Sequence, residues 1–147
     1  MIMVRSILIY LIALLPLCMQ AQNEVCFEIE SNPNSFDPAL NSFSKYVNVL
    51  DCFHIYAESS ISDSKVLHAA AVAAEILDNN EDGIVDDPLI ETILQNSQAM
   101  MPLFSSEWSP AMDAVWDYYD GCVSAALFNN EIDPSQPGHW GDDATVE

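Results

Sequence analysis

The stretch Asp78-Asn79-Asn80-Glu81-Asp82-Gly83-Ile84-Val85-Asp86 constrains this chain more than any other. Oxygen-bearing side chains stand at its first, third, fifth and ninth places, and glycine is sixth. Alternate residues of a tight loop point inward, and a glycine at the sixth place permits the left-handed turn that closes a wrap. Such a wrap suits a hard cation, because Ca²⁺ takes about 6–8 oxygens at roughly 2.3–2.6 Å. Both flanks read as helices. Before the loop, Ser62 or Asp63 caps a segment over about 64–77, with Val66, Ala70, Ala73, Ala74 and Leu77 on one stripe. After it, Asp87-Pro88 is an N-cap followed by proline at the first helical position, and Leu89, Ile90, Ile93 and Leu94 form an apolar face. This is the helix-loop-helix context of a calcium loop.

A count of oxygens qualifies the site. Asp78, Asn80 and Asp82 each offer one side-chain oxygen, Ile84 its backbone carbonyl, and Asp86 binds directly or through a water. The twelfth place, where a bidentate acid normally completes an EF-hand, is Leu89. The next acid, Glu91, lies two residues on, about 200° round a helix, and joins the set only if the helix starts late or the loop bulges. Asp87 is engaged as the N-cap. The candidate metal ligands are therefore Asp78, Asn80, Asp82, Ile84, Asp86 and Glu91, and the expected ion is Ca²⁺. Without the bidentate acid the affinity should fall near 10⁻⁴ to 10⁻³ M, roughly that of extracellular modules. That points to a structural ion outside the cell and away from a cytosolic switch. The alternative is an Asx-rich turn with no metal.

The compartment follows from the N-terminus. Arg5 precedes an apolar run over 7–17, and Ala21-Gln22 is a small-residue exit. This is the pattern of a signal peptide covering residues 1–22. Residues 23–147 then form a single acidic domain, secreted or periplasmic, with no membrane contact after cleavage. In that domain Lys45 and Lys65 face 23 acids, a net charge of −21. Such a surface repels nucleic acid and anionic membranes and favours cations. Cys26, Cys52 and Cys122 remain, which allows one disulfide of unassigned pairing and one thiol.

Elsewhere the pattern reads as helix-rich α+β, with a few short strands. Asp37-Pro38 opens a helix carrying Leu40, Phe43, Tyr46, Val47 and Leu50 at helical spacing. Residues 53–58 alternate as a half-buried strand, 26–29 and 99–104 read as short strands, and Val123, Ala125 and Leu127 suggest another. Ser109-Pro110 starts a helix with Met112, Val115, Trp116 and Tyr119 on one face, and Gly121 ends it. Asp113, Asp117 and Asp120 read as its solvated side. Catalytic signals are thin: there is no His-Glu-x-x-His, no Gly-x-Ser-x-Gly and no phosphate-binding glycine loop. His68 and Glu75 are seven residues apart, too far for a shared helical metal site. His54 shares a strand face with Tyr56 and Glu58 that is either wet or lines a cleft, and His139 sits in a turn-rich tail.

Lys65-Val66-Leu67-His68-Ala69-Ala70, followed by the run from Glu75 through the acidic loop to Pro88, resembles a largely uncharacterised family of secreted, mainly bacterial proteins. The loop itself resembles the EF-hand type. In that family the loop is followed by a Glu-Glu-x-x-His segment like a metallohydrolase helix, and Asp142-Asp143-Ala144-Thr145-Val146-Glu147 is similar to its lead-in. The resemblance implies that the chain is C-terminally truncated before any metal-ligand histidine, so no catalytic role carries over. The first expectation is thus a secreted calcium-binding protein. The front part of a metallohydrolase is the second. A surface module using Trp108 and Trp140 is the third.

Overall fold

The computed structural model describes residues 27–133, 135–136 and 138–140. Residues 1–26, which include the signal-like segment and Cys26, together with Pro134, Pro137 and residues 141–147, lie outside the described residues.

The architecture corrects the expectation of a helix-rich fold built on an EF-hand-like helix-loop-helix. Among the described residues, five strands make one mixed sheet that dominates the contacts, and three helices accompany it. The strands are β1 (Glu30–Ser31), β2 (Phe43–Val49), β3 (Phe53–Glu58), β4 (Met100–Phe104) and β5 (Leu127–Phe128), in spatial order β1-β2-β3-β4-β5. β1, β2 and β3 pair antiparallel, whereas β4 runs parallel to β3 and β5 parallel to β4. The helices are α1 (Asp63–Leu77), α2 (Pro88–Asn96) and α3 (Pro110–Tyr118).

The main departure lies at 38–50, where a strand replaces the expected helix. Asp37 does cap: its Oδ1 accepts the Ala39 N–H at 2.8 Å, and the Leu40 and Asn41 N–H groups reach its carbonyl. Only one turn forms before the chain enters β2. A bulge between Phe43 and Lys45 explains the misleading spacing. It shifts the alternation by one, so Phe43 and Tyr46, three residues apart, share a face, as they would on a helix. Val47 and Val49 face the opposite side. Aromatic and β-branched residues suit a pleated surface, and pairing with β3 decides the outcome.

The β2–β3 hairpin turns at Leu50 and Asp51, both at positive φ (49° and 55°), with the Cys52 N–H bonded to the Val49 carbonyl. Two left-handed central residues make the turn twist with its strands. Asn48 steadies it by donating to Asp51 at 2.7 Å.

Each sheet face has its own core. On one, Val66, Ala69, Ala70 and Ala73 of α1 pack against Val47, Ile55, Ala57, Met101 and Leu103. On the other, Ala111 and Val115 of α3 pack against Phe43, Tyr56, Met100 and Phe104. The strand order advances the same way from β3 to β4 to β5, while α1 and α3 lie on opposite faces. The two crossovers are therefore of opposite hand, and one runs against the strong right-handed preference. α2 is different: none of its residues is buried, and of its apolar face only Leu94 packs against the core. No helix among the described residues is long and apolar enough to cross a membrane.

This division gives a direct test. Ile55 is fully buried on the central strand, so Ile55→Ala should lose about 2–5 kcal/mol in urea denaturation. Ile93 on α2 is 55% exposed, and Ile93→Ala should change stability by less than about 1 kcal/mol.

Candidate functional site

The acidic loop joins the end of α1 to the start of α2 and is pinned at both ends. The Asp78 N–H continues the helix to the Ala74 carbonyl at 2.7 Å, and the Asp86 N–H returns to the Leu77 carbonyl at 2.9 Å. Val85 is buried in the α1-side core and anchors the returning strand of the loop. Between these points Glu81 and Gly83 take positive φ, 59° and 84°, which turns the chain back on itself. Glycine meets no steric penalty there.

Asp78 organises the interior. It is 3% exposed; its Oδ2 accepts the Gly83 N–H at 2.7 Å and its Oδ1 the Asp82 N–H at 3.2 Å. Asn80 Oδ1 shares that Asp82 N–H at 3.1 Å, and Asp82 Oδ1 accepts the Ile84 N–H at 3.0 Å. Asp86 closes the ring, accepting the Asn79 N–H at 3.0 Å and the Asn80 side-chain amide at 2.8 Å. Asp78, Asn80, Asp82 and Asp86 thus belong to one hydrogen-bonded loop, and Ile84 takes part through its main chain. A carboxylate oxygen has two lone-pair directions, so an oxygen that accepts one N–H keeps capacity for a cation. Among the described residues no three or more His, Cys, Asp and Glu side chains form a metal-holding group by themselves. A cation here would depend on the Asn80 oxygen and the Ile84 carbonyl beside the carboxylates.

Glu91 is placed elsewhere. Its Oε1 accepts from Gln95 at 3.4 Å, and Gln95 also donates to the Asp51 carbonyl in the β2–β3 turn. Asp87 is the N-cap of α2, as expected: its Oδ1 accepts the Leu89 N–H at 2.8 Å and the Ile90 N–H at 3.4 Å. Leu89, at the twelfth place, is exposed.

The histidines do not converge on the loop. His68 Nε2 bonds the Trp140 carbonyl at 2.9 Å and ties the tail to α1. His54 Nδ1 meets the Tyr46 hydroxyl at 2.9 Å on the other sheet face. Cys52 and Cys122 are thiols, and burial raises the pKa of Cys52. Trp108 is 88% exposed, whereas Trp140 packs against the α1-side core. The metallohydrolase expectation rests on residues 142–147, outside the described residues.

The sequence does not single out a second constellation, on the α3 face. Tyr46 stacks on His54 and lies against Tyr56, with ring centroids 5.7 and 5.2 Å apart. Asn34 donates to the Tyr56 hydroxyl at 2.6 Å, and the Tyr119 hydroxyl donates to the Gln98 carbonyl at 2.6 Å. The only sequence signal was the His54/Tyr56 alternation. The rest comes from the turn before β2 and the end of α3, which meet only in the fold. Comparison with protein-family models, curated proteins and solved structures finds no match.

Two outcomes are expected. In chelator, Asp78→Ala should cost about 1–3 kcal/mol by urea denaturation, because a buried side chain is lost together with the acceptor of the Gly83 N–H and one of the two acceptors of the Asp82 N–H, while Asp82→Ala should cost less than about 1 kcal/mol. Burial, then the neighbouring Tyr56, pushes Tyr46 and Tyr119 from 10.0 up to about 12. A raised folded-state pKa gives stability that is complete below pH 10.0 and lost towards about 12, so phenolate absorbance and unfolding should rise together in that window.

Proposed function

We propose that this chain is a secreted protein that binds Ca²⁺ through the loop from Asp78 to Asp86, with the ion in a structural role. One observation carries the reading: Asp78 is a buried carboxylate whose partners are neutral main-chain N–H groups. Burying a charge is costly unless an opposite charge compensates it. The two lysines of the described residues are engaged elsewhere. Lys45 pairs with Asp63 at 2.6 Å and with the Ile61 carbonyl, and Lys65 bonds Asn129. A cation held by Asp78, Asn80, Asp82, Asp86 and the Ile84 carbonyl would supply the missing charge.

The bound ion would offset the repulsion of three carboxylates and clamp the end of α1 to the start of α2. Glu91 and Leu89 add no ligand from the helix, so water completes the coordination and the affinity stays modest. No helix is drawn across the ion, which suits a clamp better than a switch. The net charge of −21 after loss of residues 1–22 raises the local concentration of cations around such a site.

Calcium should stabilise the protein by linkage. With a Kd of about 10⁻⁴ to 10⁻³ M, roughly 10 mM Ca²⁺ should add about 1.4–2.7 kcal/mol, read as a higher thermal midpoint. Asp82→Ala should remove the shift while leaving a folded protein in chelator. An unchanged midpoint in the parent chain, with calorimetry showing no calcium binding, rejects the proposal.

A further inference from the structure

We propose that the cleft on the α3 face of the sheet binds a small alkylammonium ion. Tyr46, His54, Tyr56 and Tyr119 contribute aromatic residues to its lining, and Asn34, Asp37, Leu40 and Gln98 complete it. This cleft shares no residue with the calcium loop and lies on the opposite face of the sheet.

The ring positions are built. Tyr46 is held by its hydroxyl contact to His54 and by stacking on that imidazole. Tyr56 is a buried residue of the central strand, anchored further by Asn34. Tyr119 lies just past the end of α3, with its hydroxyl fixed on the Gln98 carbonyl. Its ring occupies the space beside Gly121, where a Cβ would come within 2.5 Å of it. α3 ends at Tyr118 with Tyr119 as its C-cap, before the expected Gly121, and that glycine instead seats one wall of the cleft.

The charges select the ligand's sign. Asp37 lies close enough to Tyr56 and Tyr119 to raise both phenols, secondary to burial, and Glu30 and Asp51 act likewise on Tyr46. No lysine counters them: Lys45 and Lys65 are bound to groups at the other face, around Ile61, Asp63 and Asn129. An anion would meet the Asp37 carboxylate in the lining, with Glu30 and Asp51 acting on Tyr46. The Tyr119 hydroxyl proton, moreover, is already committed to the Gln98 carbonyl. A bare metal ion would find only one carboxylate, Asp37, in the lining. A cation clothed in methyl or methylene groups fits both features, since aromatic faces attract it through the ring quadrupole and a carboxylate supplies the opposite charge. Burial lowers the His54 pKa, which disfavours an imidazolium that would compete as the cation.

The test is a titration of the full chain with choline chloride, followed by tyrosine-ring NMR shifts at constant ionic strength. 3,3-Dimethylbutan-1-ol, the neutral isostere, serves as the paired ligand. Saturable shifts at Tyr46, Tyr56 and Tyr119 are expected, with binding at least about fivefold tighter for choline than for the alcohol. Asp37→Asn, which keeps the turn's acceptor for Ala39, should weaken choline at least about fivefold and leave the alcohol unchanged. Tyr46→Leu should weaken choline similarly. If that variant fails to fold by circular dichroism, Asp37→Asn decides alone. Absence of saturation by about 50 mM choline, equal affinity for the two ligands, or an unchanged affinity in folded Asp37→Asn overturns the proposal.

Discussion

Parallel pairing of β3 with β4 is the constraint on which the rest of the structure depends. Neighbouring strands that run the same way cannot be joined by a hairpin, so the chain must leave one end of the sheet and return to the other. α1, the acidic loop and α2 are that return path. The loop is therefore not an appendage on a helical pair. It is the bend in a crossover, and its geometry is set by how far α1 must run before the chain turns back towards Met100. Val85 records this dependence, since the bend holds its shape by inserting a side chain into the core that α1 shares with the sheet. α2 contributes little to that core. Its work is to carry the chain from the loop to the buried β4.

Electrostatics adds a second layer to the same connection. Asp78 sits where helix, loop and core meet, and it accepts main-chain N–H groups from across the bend. The arrangement stiffens the loop in the absence of any ion, but it also fixes a charge away from water. Loop order is thus one consequence of a buried carboxylate, and the cation proposed for this loop would answer its charge. A switch would need a second helix whose position answers to the ion. The only acid on α2 is turned towards Gln95 and the β2–β3 turn.

Much of this was legible in local chemistry. Asp87-Pro88 and Ser109-Pro110 marked two helix starts to the residue, and the alanine stripe of α1 marked its buried face. The alternation at 53–58 marked β3, and the spacing from Asp78 to Asp86 marked a wrapped loop. What stayed hidden had non-local causes. A bulge made β2 mimic a helix. Its hairpin turn is built from Leu50-Asp51, which lacks the glycine or asparagine that would announce two left-handed residues. The aromatic cleft draws on segments from residue 34 to residue 119, and no sequence window contains it. The dominance of the sheet was missed for the same reason, because pairing energy belongs to two segments at once.

Both outermost strands of the sheet, β1 and β5, are only two residues long. A sheet's rim is a row of unpaired donors and acceptors, and a long rim invites a neighbouring molecule to extend it. Here β1 covers only the middle of β2, at Lys45 and Tyr46, and the bulge beside it twists the remaining edge out of register. At the other side, β5 offers two residues before the chain turns at Asn129. Among the described residues, neither rim gives a second molecule a template long enough to propagate. The fold therefore carries its own protection against edge-to-edge aggregation, and that protection is independent of the repulsion between like-charged copies, which salt would screen.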